Sequence, residues 1–285
     1  MRCFLREFVL FGLKQVRACL FAGTFLALIL VSKHVSVFGL ARYDFLFLGA
    51  VAIQIALVWT GVESKHELMT LCAFHALGIS LELFKTHPAR ALWTYPEGGF
   101  FKLGTVPLYS GFMYAAVASY MCQNWKLLDQ RLVRYPPYRY SVPLAAAIYL
   151  NFYTHHWLPD VRWLLIALTF VVFRKTWVVF TPADRPRQMP LVAAIGLVAF
   201  FVWVAENVST FFGAWVYPQQ RHGWELVSLR IFSSWFLMVI VSGIIVADLK
   251  HVRDAARRRL AEQGTADQPD AMKEQPVPLA GAAGL

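Results

Sequence analysis

The chain has 285 residues, of which 58% are hydrophobic and only 15% are charged, and its mean hydropathy is +0.50. A soluble globular domain carries about a quarter charged residues, so this composition excludes a soluble single-domain enzyme. It also excludes an outer-membrane barrel, which needs short alternating strands, and a disordered chain, which is never this apolar. Because the apolar blocks approach the length of a bilayer span, we predict an all-α integral membrane protein.

Apolar windows of about 20 residues predict eight transmembrane helices. An even number of spans places both termini on one side of the membrane. The loops on that side hold 19 of the 27 Lys and Arg residues, and positive charge marks the cytoplasmic side. We therefore predict a multi-pass protein of the cell inner membrane with both termini cytoplasmic. The predicted spans lie near residues 16–38, 44–62, 67–86, 103–124, 141–158, 162–180, 189–212 and 227–249.

The charge asymmetry also accounts for the formal net charge of +10, because the excess faces anionic lipid headgroups. No nucleic-acid partner is expected, and the oligomeric state stays open. Residues 251–285, rich in Gly, Ala, Pro, Gln and Asp, have little apolar surface, so we expect a largely disordered cytoplasmic tail.

Two stretches of the chain repeat one pattern. Each has a glutamate near the end of a predicted span, Glu82 or Glu206, followed by the sequence Trp-x-Tyr-Pro at 93–96 or 215–218. We interpret the pattern as two four-helix repeats, 1–124 and 125–250, with the same orientation about an axis along the membrane normal. Both Trp-x-Tyr-Pro loops then lie on the outer side.

The two glutamates lie at an unusual depth for a charged side chain. Glu82 follows Glu67 by 15 residues, or about 22 Å of helix, which places it in the outer third of the membrane. A charge there costs about 3 kcal/mol or more unless it is protonated, paired or facing a polar cavity. Matching positions in two repeats predict one shared cavity. The alternative is a buried salt bridge, of Glu82 with Arg162 or of Glu206 with Arg42.

Further polar residues are predicted at the same outer end of the bundle. The fifth span ends in NFYTHHWLPD, which contributes Asn151, His155, His156 and Asp160. Asn151 and His155 are four residues apart and share a helix face. His75 shares a face with Glu82 and lies about 10 Å deeper. We expect these side chains to form a polar ring just below the outer headgroups.

The first chemistry that such a ring permits is acid–base catalysis without a cofactor. A carboxyl group in a dry cavity keeps its proton and donates it to an alkene or epoxide of a hydrophobic, isoprenoid- or carotenoid-like membrane lipid. We assign Glu82 and Glu206 as acid and counter-acid, with His155 and Asn151 orienting water or relaying a proton. Aromatic faces stabilise a developing carbocation. The predicted pocket residues are Trp93, Tyr95, Trp215, Tyr217 and His75.

Two other functions remain open. One is a metal-dependent lipid hydrolase in which His155, His156, Asp160 and one glutamate hold the ion. Adjacent histidines on a helix point about 100° apart, so that site requires the helix to unwind near Pro159. The other is a small-solute transporter, because internal repeats and embedded acids are also typical of carriers.

The stretches quoted so far carry a resemblance to a known family. The chain resembles the bacterial YoaT-like multi-pass membrane proteins of unknown function, which implies an integral membrane fold and brings no established activity. A weaker similarity, at the level of pattern, is to carotenoid hydratases and heterodimeric-type lycopene cyclases, although the Pro-x-Glu-Glu type motif of the cyclases is missing. The stretches that resemble the first family are RYDFLFLGAVAIQ (42–54), ELFKT with WTYPEGGFFKLGTVPLYSGFMYA (82–115), NFYTHHWLPDVRW (151–163) and MPL followed by AENVSTFFGAWVYPQ (189–219).

Overall fold

The computed structural model describes residues 2–36 and 39–266, and α-helices make up most of this part of the chain. Short strands and one turn of 3-10 helix (Pro218–Gln220) lie in the connections. The helices are α1 (Arg2–Ala18), α2 (Leu20–Ser32), α3 (Arg42–Trp59), α4 (Lys65–Lys85), α5 (Ser110–Leu127), α6 (Tyr138–Thr154), α7 (Arg162–Phe173), α8 (Leu191–Phe211) and α9 (Leu229–Ala266). The strands are β1 (Lys102–Leu103), β2 (Val106–Pro107), β3 (Arg131–Val133), β4 (Trp177–Phe180) and β5 (Arg187–Pro190).

Several helices have the length and apolarity of a membrane span. Within the described residues they are α3, α4, α8 and the Leu229–Lys250 part of α9, with α1 and α2 as a fifth candidate that bends by 66° between its two halves. These helices confirm the predicted helical membrane class. Each of the eight predicted segments contains a helix, but α5, α6 and α7 do not meet the same criteria. The count of eight spans therefore stays a prediction.

The sixth predicted segment, 162–180, needs a correction. Helix α7 ends at Phe173, and β4 forms the middle strand of an antiparallel sheet with the order β3-β4-β5. The charged pair at 174–175 interrupts the apolar run, and the WVVF sequence of β4 is β-branched and aromatic, a composition that fits a strand. The apolar stretch therefore divides between two kinds of element.

The C-terminal end of the last helix also differs from the sequence prediction. Helix α9 continues to Ala266, whereas a disordered tail was expected from residue 251 onward. The sequence RDAARRRLAEQ is rich in strong helix formers, which allows the helix to continue beyond its apolar part. The rest of the predicted tail, 267–285, lies outside the described residues.

The segment Met1–Val246 forms one compact unit, and Ala247–Leu285 forms a second, whose described part is the end of α9. Within the first unit, one apolar cluster gathers side chains from α2, α3 and the loops that follow α4 and α8. Tyr95, Trp215 and Tyr217 belong to this cluster and are 5 to 8% exposed. The Trp-x-Tyr-Pro loops are therefore part of the core and not a surface belt of aromatic residues.

Candidate functional site

The two Trp-x-Tyr-Pro loops contact each other directly. Thr94 and Val216, the middle residues of the two motifs, form an antiparallel bridge in which each backbone N–H donates to the carbonyl of the other at 2.9 Å. Side chains alternate along an extended segment, so the Trp and Tyr on either side of the bridging residue point to the same face. This alternation explains the spacing of the motif: each loop directs an indole and a phenol to one side.

Glu82, in the last turns of α4, accepts hydrogen bonds from three aromatic side chains. The indole N–H of Trp93 and the hydroxyl of Tyr95 donate to Oε2, both at 2.8 Å, and the hydroxyl of Tyr114 donates to Oε1 at 2.9 Å. The glutamate is 1% exposed. Both of its oxygens are therefore satisfied by neutral donors, as a buried carboxyl group requires.

A glycine on α4 permits the third of these contacts. Gly78 lies one turn before Glu82 on the same helix face, and a Cβ placed on it would lie 2.4 Å from the ring of Tyr114. The ring of Tyr114 therefore packs directly on the backbone of α4. From that position its hydroxyl reaches Glu82.

Glu206, in α8, has a closely similar environment. The hydroxyl of Tyr217 donates to Oε1, and the indole N–H of Trp235 in α9 donates to Oε2. The residue is 5% exposed. Both glutamates are thus held by the Tyr of their own loop and by an aromatic donor from a neighbouring helix.

The alternative of buried salt bridges at the two glutamates is wrong. Among the described residues, the carboxylate partner of Arg42 is Glu97, at 2.9 Å, and the same guanidinium donates to the carbonyls of Phe212 and Gly213. Arg162 pairs with Asp160, which lies two residues before it. Each arginine pairs with a different acid, so neither guanidinium neutralises Glu82 or Glu206.

One group of packed aromatic side chains surrounds both carboxyl groups. Trp93, a donor to Glu82, packs edge-on against Tyr217, a donor to Glu206, with ring centroids 6.1 Å apart. Tyr114 and Trp235 also pack together, in a tilted arrangement with ring centroids 6.0 Å apart. The structure thus brings both predicted acids and four of their aromatic neighbours together.

The hydroxyl groups of the two loop tyrosines, Tyr95 and Tyr217, remain hydrogen-bond donors at all ordinary pH values. Burial, and next the charge of Glu82, raise the pKa of Tyr95 well above its ordinary value of 10. Burial and the charge of Glu206 do the same for the pKa of Tyr217. Each loop tyrosine therefore keeps its proton and continues to stabilise its glutamate.

A largely apolar cavity of about 660 Å³ borders one of the two acids. Its lining follows one face of α8 from Leu191 to Ser209, which corresponds to about 27 Å along the helix axis. Glu206, Trp215 and Trp235 belong to the lining, and Glu82 does not. The lining also contains a polar group that includes Gln15, Tyr120, Asn124 and Gln130, which hydrogen-bond to one another.

Two further predicted residues, His155 and Asn151, lie in a separate place. The ring nitrogens of His155 and His156 face the ammonium of Lys85 at 3.2 to 3.5 Å. Asn151 donates to Asp160 at 3.2 Å. No hydrogen bond joins this group to either glutamate within the described residues. It forms a second polar cluster and not part of one ring.

Two other expectations come out differently. His75 lines a shallow groove between α4 and α6, and its ring packs against Phe112 with centroids 4.6 Å apart. In the part of the chain that the structure describes, no three His, Cys, Asp or Glu side chains gather in a way that suits a metal ion. His155, His156 and Asp160 do not converge, because the histidines face Lys85 while Asp160 binds Arg162.

Sequence reasoning missed three side chains that form buried hydrogen bonds, two of them at the site glutamates and one elsewhere. Tyr114 and Trp235 lie inside apolar helices, and nothing in the local sequence distinguishes them from lipid-facing aromatics. Glu63, in the turn before α4, is 2% exposed and accepts hydrogen bonds from Gln54 and Ser119. A glutamate in a predicted loop normally indicates solvent, so its burial has no signal in the sequence.

Nearly the whole chain is similar to known proteins. Residues 7–243 match the family model DUF817, described as a protein of unknown function. The uncharacterized protein YoaT of Bacillus subtilis (strain 168) is 47% identical over 250 residues, which cover 88% of this chain and 94% of that protein.

The solved structures add no relative, since none of them matches the chain significantly. The expected resemblance to YoaT-like proteins is confirmed, whereas the matches give no support to the weaker similarity to carotenoid enzymes. The range matched by the family model contains both glutamates and both Trp-x-Tyr-Pro loops. The chain therefore belongs to the DUF817 family.

Proposed function

We propose that this protein is a membrane-embedded enzyme that binds a long-chain, isoprenoid-like lipid and acts on it by acid–base catalysis, with Glu206 as the acid. The observation that carries the proposal is the position of Glu206. Its carboxyl group is buried, has no cationic partner in the described residues, and borders a largely apolar cavity. An ionisable residue in such a place indicates a functional site.

The shape of the cavity supports a chain-like ligand. The cavity has a volume of about 660 Å³, and its lining extends over about 27 Å of α8, a length that accommodates an extended hydrocarbon chain. The lining is mainly aliphatic and aromatic, with polar groups near Glu206 and near Gln15. A lipid with one apolar chain fits both the length and the chemistry of this space.

The proposed reaction is a proton addition to an alkene. Protonated Glu206 gives its proton to one alkene carbon, the π electrons form the new C–H bond, and the neighbouring carbon becomes a carbocation. The faces of Trp215 and Trp235, both in the lining, stabilise that cation. Water then adds and loses a proton to the Glu206 carboxylate, which gives hydration. Loss of a proton from a carbon next to the cation gives isomerisation instead.

In this mechanism Glu82 is a positioning residue. It lies outside the cavity and binds Trp93 and Tyr114, which pack on the two aromatic donors of Glu206. Its hydrogen bonds fix the orientation of Trp93 and Tyr114, and through them that of the Glu206 donors. His155 and Asn151 belong to the separate cluster and take no part in the proposed reaction.

We also propose eight spans arranged as two parallel four-helix repeats, with both termini on the cytoplasmic side of the inner membrane. The Thr94–Val216 bridge supports the repeat, because two residues in an antiparallel bridge are related by a local two-fold axis. Glu82 and Glu206 lie 12 and 10 residues before those bridging residues. The proposed repeat axis passes through this bridge and relates the two acids and their loops.

A comparison of lipid extracts by mass spectrometry tests the enzyme. The cells to compare express the wild-type protein, Glu206→Gln, the control Glu225→Gln at an exposed position of the next loop, or no protein. We expect a product that differs by one water or by retention time only in the wild-type and Glu225→Gln cells. Loss of a headgroup would favour hydrolysis. Identical lipids in all four would contradict the enzyme and favour a carrier.

A further inference from the structure

A second site lies at the end of α4, apart from the Glu206 cavity. Lys85 is 4% exposed, and its ammonium contacts Nε2 of His155 at 3.2 Å and Nε2 of His156 at 3.4 Å. Nδ1 of His155 lies 2.8 Å from the carbonyl of Asn151, so Nδ1 carries the proton and Nε2 accepts from Lys85. The lysine is thus buried against neutral acceptors.

The charges around Lys85 do not balance. The charged groups near it are Arg90, Arg162 and Asp160. With Lys85 itself, three cations share one carboxylate. Asp160 is already engaged by the Arg162 side chain and by Asn151. No carboxylate lies within 4.0 Å of the Lys85 ammonium among the described residues. A buried charge without a counter-charge is costly, so this position favours an anionic ligand.

Arg90 adds a second donor next to this lysine. Its guanidinium lies 4.0 Å above the ring of Phe84, and its Nε donates to the Phe84 carbonyl at 2.7 Å. The remaining guanidinium nitrogens have no carboxylate partner in the described part of the chain. We call Lys85, Arg90, His155 and His156 the Lys85 cluster. The cationic donors that a phosphate group requires come from Lys85 and Arg90, and the two histidines hold the Lys85 ammonium in place.

An apolar groove begins at the same place. The α4–α6 groove runs over the surface beside Phe84, whose ring also packs against His156 with centroids 5.5 Å apart. The Phe84 ring therefore lines the groove and also contacts the cluster, so the two are adjacent. The groove is lined by His75, Ala76, Ile79, Ser80, Leu83, Phe84, Leu108 and Tyr153.

We propose that the Lys85 cluster binds the phosphate of an anionic phospholipid, with one of its acyl chains lying in the α4–α6 groove. Charge complementarity selects the phosphate, and the continuity of cluster and groove selects a lipid over a soluble anion. A zwitterionic lipid carries its own cation, which the excess of Lys and Arg charge repels. The proposal does not depend on the reaction at Glu206.

A thermal-shift titration in neutral detergent tests this site. The probes are phosphatidylglycerol, phosphatidylcholine and inorganic phosphate, added to the full-length protein. We expect phosphatidylglycerol to raise the Tm by about 3 °C or more, and the other two to raise it by much less. Equal shifts with phosphatidylcholine would overturn the charge selection. An equal shift with inorganic phosphate would overturn the lipid assignment.

Variants locate the binding. Lys85→Met keeps the length of the side chain and removes its charge, and Lys65→Met makes the same change at the exposed opposite end of α4. We expect the phosphatidylglycerol shift to disappear in Lys85→Met and to persist in Lys65→Met. If Lys85→Met does not fold, Arg90→Gln, at a half-buried position, is the alternative variant. We expect it to bind phosphatidylglycerol with at least a fivefold weaker apparent affinity. A full shift in the folded variant would refute the site.

Discussion

Thr94 and Val216, 122 residues apart in the sequence, exchange both of their backbone hydrogen bonds. Each lies between the Trp and the Tyr of its own motif, so the bridge fixes the position of both aromatic pairs. These pairs supply Trp93 and Tyr95 to one buried glutamate and Tyr217 to the other. The relative placement of the two acids therefore depends on one pair of loop residues.

Removing an N–H from this bridge should destabilise the protein. Thr94→Pro and Val216→Pro each delete one of the two donors, and we expect each to lower the free energy of unfolding by about 1–3 kcal/mol. Thr94→Ala and Val216→Ala keep both donors and serve as controls. The measurement is Tm in detergent. Equal Tm values for the proline and alanine variants would show that the bridge contributes little.

The two glutamates should tolerate an amide better than an apolar side chain. In Glu82→Gln and Glu206→Gln, the amide oxygen still accepts from the indole, and the amide nitrogen donates to a tyrosine hydroxyl. In Glu82→Leu and Glu206→Leu, buried indole and phenol donors lose their acceptor, which costs about 1–3 kcal/mol for each unsatisfied group. We expect near-normal yield and Tm for the Gln variants and a clear loss for the Leu variants.

This series separates folding from chemistry. Glu206→Gln should fold and lose the lipid product, because the amide has no proton of sufficient acidity to donate. If Glu206→Leu is as stable as the wild type, the hydrogen bonds from Tyr217 and Trp235 are not important for the fold. That result would contradict the argument that these hydrogen bonds hold the Glu206 carboxyl group in place beside the cavity.

Close packing at Gly78 predicts a third effect. Gly78→Ala would place a Cβ 2.4 Å from the ring of Tyr114, so either the ring or α4 must move. We expect a loss of about 1–3 kcal/mol and a weaker contact from Tyr114 to Glu82. Gly196→Ala in α8 is the matched control, because a Cβ there meets no atom within 4 Å. Because Ala is the better helix former, Gly196→Ala should keep or raise the Tm. A Tm for Gly78→Ala that is no lower than the wild-type value would contradict the close contact with Tyr114.

The sequence was sufficient to find the two acids and their loops. A charged residue deep in an apolar segment is costly, and each of these two glutamates precedes a Trp-x-Tyr-Pro sequence, so Glu82 and Glu206 could be predicted as site residues without a structure. The common location of Tyr95 and Tyr217 followed from the same pattern. These signals are local in the chain, which is why they are readable from it.

The remainder depends on contacts between distant segments. Tyr114 and Trp235 reach the glutamates from other helices, and an aromatic residue in an apolar helix has no marker for the direction in which it points. The prediction that His155 and Asn151 join the acids followed from their shared end of the bundle. Lys85 instead draws the histidines into a separate cluster, which spacing along a helix does not reveal.

Membrane orientation is open to a labelling test. Gly98→Cys lies in an exposed loop where a Cβ meets no atom within 4 Å, and Arg131→Cys lies on an exposed strand residue. On the proposed topology, a membrane-impermeant maleimide should label position 98 in intact cells and position 131 only after permeabilisation. The native cysteines are first replaced by serine as the background control. The reverse pattern of labelling would invert the topology.

The central claim is that a chain-like lipid occupies the cavity beside Glu206, and native mass spectrometry of the protein purified in mild detergent tests it most directly. Ala194→Phe fills the lining of that cavity, whereas Ala193→Phe makes the same change at the exposed neighbouring position of α8. Besides any phospholipid held at the Lys85 cluster, we predict one cavity lipid per protein in the wild type, in Ala193→Phe and in Lys85→Met, and the loss of that cavity lipid in Ala194→Phe. Absence of a bound lipid from the wild type, or its retention in Ala194→Phe, would contradict the claim.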